Sequence, residues 1–131
     1  MSSHEIHPEG AASAPPPVRR VTVMPDYGAQ GLWGADGREI DPDSLAVTAP
    51  LRWRLAAWCA WFEDSELYRP PDRRTRPFDL DAFAAEGRAI AAALKGELGS
   101  VEVLYHDVAV RERMMQAGWR PPWETVAGEG A

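Results

Sequence analysis

Three groups of side chains in this sequence are able to do chemistry or to hold a partner. The first is Tyr105-His106-Asp107, where His106 can act as a general base or a metal ligand beside a carboxylate. Asp26 is the second acid that a catalytic reading would draw in. Adjacent residues on a strand point to opposite faces, so His106 and Asp107 make no dyad by adjacency alone. The plainer reading is a strand end followed by a helix cap. The second group is Arg73, Arg74 and Arg76, the densest basic cluster in the chain. Three guanidinium groups can clamp a phosphate or pair with a partner's acids, or simply balance nearby Glu63, Asp64 and Glu66. The third is the set of six tryptophans, twice the number of phenylalanines or of tyrosines. Trp53, Trp58 and Trp61 share one segment, Trp119 and Trp123 another, and Trp33 stands apart. One indole buries a large area, which makes such residues candidate binding anchors.

Weaker signals reduce to structural chemistry. Asp41/Asp43, Asp64/Glu66 and Asp79/Asp81 offer oxygen ligands of the kind hard cations prefer. Turn formation and helix capping account for them without a metal. His4 and His7, with Glu5, would hold a metal only weakly. Cys59, the single cysteine, excludes an intramolecular disulfide and a CxxC zinc site. Between Trp58 and Ala60 it reads as a small buried hydrophobe in a reducing compartment. Gly28, Gly31, Gly34 and Gly37 recur every third residue, but no GK[ST] follows, so they read as turns around Trp33. No metal and no cofactor is expected.

The elements that must position these residues follow from periodicity. Residues 1–17 are polar and proline-rich and predict a disordered tail. A single domain is expected over 18–118, then a tail over 119–131 that can dock through its tryptophans. Residues 18–24 alternate as a strand with Val21 and Val23 on one face, and Pro25 ends it. Leu32-Trp33 forms a short second strand before the Asp36-Gly37 turn. Thr48 and Pro50 open a helix over 49–62, apolar around much of its circumference and so needing cover on more than one side. Residues 63–78 form a charged loop long enough to suggest function or disorder. The next helix, 81–98, carries Phe83, Gly87, Ile90, Leu94 and Leu98 at helical spacing and stops at Gly99. Gly87 costs about 1 kcal/mol against alanine in mid-helix, which points to close approach by another element. A strand at 101–105 and an optional short helix over 107–118 complete an α+β fold, two helices on one face of a small sheet. Parallel pairing of the first and last strands fits the crossover length, though the pattern does not require it.

Composition sets the outer limits. Of 131 residues, 45% are hydrophobic, enough for a packed core, and 20 acids against 14 bases give a net charge of −6. That balance disfavours sequence-independent nucleic-acid binding, which depends on a basic face. No apolar run approaches a membrane span, and residues 1–17 have no secretory pattern, so a cytoplasmic protein is expected.

Asp26-Tyr27-Gly28, Leu32-Trp33, the leucine/tryptophan helix, Glu86-Gly87-Arg88 and Glu97-Leu98-Gly99 running into a Val-x-Tyr-like strand form one pattern. Over residues 18–106 it resembles a group of small uncharacterised bacterial proteins, some similar to immunity or accessory proteins. The resemblance implies no catalytic residue. The leading expectation is a non-enzymatic inhibitor or immunity-like protein that binds another protein, one with a basic surface, through tryptophans rimmed by acids. A small enzyme or anionic-ligand domain using His106, Asp26 and the Arg73–Arg76 loop is the alternative. Self-association of the aromatic helix into a homo-oligomer is the third.

Overall fold

Val21 and Val23 are fully buried while their neighbours Arg20 and Thr22 are not, the alternation that makes β1 (Arg20–Val23) a one-sided strand. The computed structural model describes residues 17–120, so His4, His7 and Trp123 lie outside the described residues. β1 is the middle strand of three. It pairs antiparallel with β2 (Leu32–Trp33), setting Thr22 opposite Trp33 and Val23 opposite Leu32. On its other side it pairs parallel with β3 (Glu102–Tyr105), in the register Val21 to Val103 and Val23 to Tyr105. The turn before β2 requires glycine: Gly31 has φ +92°, and a Cβ there would sit 2.8 Å from the Cys59 sulfur. After β2 the chain reverses through Asp36-Gly37, and Trp33 bridges to Glu39.

Two helices cover the inward face. Helix α1 (Ala49–Glu63) buries Leu51, Leu55, Trp58, Cys59 and Phe62. Thr48 takes the N-cap position, but its hydroxyl does not cap. Its backbone N–H and Oγ1 both donate to Glu97 instead, each at 2.8 Å, which brings a carboxylate to the positive end of α1. Helix α2 (Leu80–Leu98) is capped by Asp79, which accepts from Ala82 N, and ends where Gly99 adopts φ +65°. The close approach expected at Gly87 is there. A Cβ on it would meet Trp58 Cζ2 and Tyr105 Cε1, each at 2.6 Å.

The segment between α1 and α2 is fastened by its own polar groups. Glu66 accepts from Thr75 N at 2.7 Å and from Thr75 Oγ1 at 2.6 Å, and Arg76 pairs with Asp64 at 3.1 Å. Arg74 donates to the Arg69 and Leu67 carbonyls at 3.0 and 3.3 Å. A short helix, α3 (Val108–Gln116), closes the described chain, with Asp107 accepting from Ala109 N and Val110 N. The architecture is α+β, and the sheet's outward face carries Thr22, Leu104 and the Arg20–Glu102 ion pair.

Candidate functional site

β1 and β3 run parallel, so both end at the same edge of the sheet, the side where open α/β sheets place their binding crevices. The chain leaving β1 gives Met24–Tyr27, and the chain leaving β3 gives His106 and Asp107. Together with the end of α1, Tyr68 and one side of α3 they enclose a cleft of about 730 Å³.

Each wall is held from behind. The Tyr27 ring lies 4.6 Å from Phe62 and meets Tyr68 edge-on at 5.6 Å, and its hydroxyl is 3.2 Å from Ser65 Oγ. Gly28, at φ +74°, donates its N–H to Glu63 at 2.6 Å, which ties the β1–β2 turn to the end of α1. On the opposite wall α3 buries Val108, Ala109 and Glu112 and turns Val110 and Met114 outward. The Trp119 backbone N–H donates to the Met114 carbonyl at 2.9 Å, which closes the end of this helix, and Trp119 lines the cleft.

Two observations set the cleft apart from the rest of the surface. Of the seven exposed large apolar side chains among the described residues, five line it: Tyr27, Tyr68, Val110, Met114 and Trp119. Among the described residues, three buried polar atoms have no hydrogen-bond partner, and all belong to residues that line it: His106 Nε2, Arg111 Nε and Tyr105 Oη, the last lying against Gly87 on the helix side. Burial and the nearby Arg111 charge hold the His106 imidazole below its usual pKa, against a smaller opposing pull from Asp107. Burial, assisted by Asp107, pushes the Tyr105 phenol up to about 12. Both rings are therefore neutral at pH 7. With Nε2 unpartnered and the Asp107 carboxylate engaged by the α3 cap and by Arg88 at 3.3 Å, no acid among the described residues orients His106 as a base.

The structure brings His106, Asp26 and Trp119 to one place, as lining of this cleft. It disperses the other side chains singled out by type. Trp58 is 1% exposed, stacked 4.7 Å from Phe83 with Nε1 donating to the Phe83 carbonyl, so it has no surface to offer a partner. Trp61 is half-buried against Phe78 and Phe83. Trp53, 71% exposed, borders a separate hollow beside Asp43 and Arg52. Arg74 and Arg76 are occupied within their loop, and Arg74 also lies 3.8 Å from Glu112, while Arg73 stays exposed. Burial, followed by the charges of Glu39 and Glu63, pushes the Cys59 thiol up to about 11. Sequence reasoning missed Tyr27, Tyr68, Val110, Arg111 and Met114. The available signal was the apolar pair Val110 and Met114, one helical turn apart in a segment otherwise rich in charge.

Residues 19–108 match the Serratia CdiI immunity protein-like family. The chain belongs to that family. The match spans β1 through the first residue of α3 and includes the Met24–Tyr27 and Tyr105–Asp107 sides of the cleft. The outer turns of α3, with Val110, Arg111 and Met114, fall beyond the stretch matched to the CdiI-like family. No curated protein matches the chain. Among the described residues no helix is long and apolar enough to cross a membrane.

Proposed function

We propose that this protein is an immunity protein that binds and neutralises a protein toxin, and that the toxin docks over the cleft at the ends of β1 and β3. Membership of an immunity protein-like family supports the class of activity. The observation that carries the location is the concentration of exposed apolar side chains there, five of the seven. Protein surfaces scatter such residues singly, and a cluster around a concavity marks an interface. The net charge of −6 favours encounter with a basic toxin, since long-range attraction raises the association rate.

The experiment is growth rescue. Candidate toxin domains from the native host are co-expressed with the full chain, and the toxin that it neutralises is carried into binding measurements. Met114→Asp and Val110→Arg are expected to lose protection and to weaken binding at least about a hundredfold, the range of a central interface residue. Trp53→Ala is expected to protect as the parent does. Full protection by both cleft variants would place the toxin elsewhere.

A further inference from the structure

Arg111 is the only cationic side chain among the described residues that line the cleft, and it is half-buried. Its Nε is buried without a partner, and among the described residues no carboxylate lies within ion-pair distance of it. The acids around it are committed elsewhere. Asp107 caps α3 and pairs with Arg88, and Glu112 pairs with Arg74. Asp26 accepts from Tyr27 N within its own turn. A partly desolvated guanidinium without a counter-ion among the described residues favours pairing with a carboxylate that can reach it. Around it stand Val110, Met114 and Trp119, which would shield such a pair from water.

We infer that the cleft receives an apolar segment of the partner carrying a carboxylate, with Arg111 as the counter-ion of that carboxylate. This rests on the toxin reading above and gives the contact its chemistry. It also separates two electrostatic roles. The net charge acts on encounter and is screened beyond about 8 Å at physiological salt. The contact itself is governed by the local cation, so a toxin that is basic as a whole presents an acidic residue at this point. Charge-assisted hydrogen bonds from a guanidinium favour that pairing, and apolar flanking residues match the cleft walls.

The test uses small probes with the isotope-labelled full chain, followed by NMR: 3-phenylpropionate, its neutral amide 3-phenylpropionamide, and phenethylamine. The acid is expected to shift the Arg111 Nε–H, His106 and Met114 signals and to bind about tenfold more tightly than the amide. Arg111→Met is expected to abolish that preference without lowering the thermal midpoint. Binding of the carboxylate is also expected to raise the His106 pKa, since it offsets the Arg111 charge. Equal affinity for acid and amide, a preference for the amine, or shifts centred on Arg73 would each overturn the inference. An acid preference seen only after deletion of residues 121–131 would overturn it too, because the chain's own end would then be the occupant. If the acid preference is absent while Met114→Asp still abolishes growth rescue, the carboxylate inference fails and the toxin reading stands.

Discussion

Tyr105 belongs to two regions that treat their side chains in opposite ways. Toward the helices its ring presses on Gly87 and lies 6.4 Å from Trp58, inside an aromatic seam with Phe83 in which the Trp58 N–H has an acceptor. Toward the sheet edge the same residue lines a cleft where five large apolar side chains stay exposed and where, among the described residues, the buried His106 Nε2 and Arg111 Nε have no partner. The seam buries its rings against one another, whereas the cleft leaves large apolar side chains open to solvent. A side chain's type therefore says little about its task. Trp58 stabilises the fold, while the smaller Val110 and Met114 provide surface.

Substitutions that separate stability from binding test that contrast. Trp58→Ala is expected to have the largest effect, a loss of about 3–5 kcal/mol from an emptied aromatic site, read in denaturant unfolding. Gly87→Ala follows, at about 2 kcal/mol. The added methyl has to displace two ring edges, and the gain in helix propensity offsets only part of that. A stable Gly87→Ala protein would show that the seam is looser than its distances indicate. In the cleft, Met114→Asp is expected to change stability by less than about 0.5 kcal/mol while removing protection, the reverse of the seam variants.

The smallest expected effect is one of pH. The His106 pKa is depressed in the folded protein, so its contribution is fully present above the unfolded value near 6.5. As pH falls through that value the unfolded chain takes up a proton that the native state resists, and stability declines. His106→Gln should flatten the decline between pH 7 and pH 5, and an unchanged slope would assign it to other groups.

Most of the fold is legible in the sequence. Helix α2 shows itself through its apolar spacing, the Asp79 cap and Gly99, and β2 through the turn glycines around just two residues. Thr48 takes the N-cap position that its place before Pro50 predicts, but its hydroxyl donates to Glu97, far along the chain, instead of capping the helix. The expected strand over 18–24 shortens to Arg20–Val23 because β3 offers only four residues to pair with. The site was less legible, since residue type misleads on α3. Glu112 is 8% exposed, with Arg74 beside it, whereas Val110 is 51% exposed. That inversion depends on which side of a short helix meets the rest of the molecule, and nine residues of mixed charge do not specify it.

The pairing of β1 with β3 joins residues as far apart as Arg20 and Glu102, 82 positions along the chain. Contacts at that separation form late, because a long loop must close before they return any stabilisation. During synthesis β1 emerges early and waits without its parallel neighbour, and both walls of the cleft depend on that neighbour. A nascent chain therefore completes the cleft only once β3 has been made and has paired with β1. Until that pairing forms, the two walls are not held together, and a chain lacking β3 has no such cleft to offer.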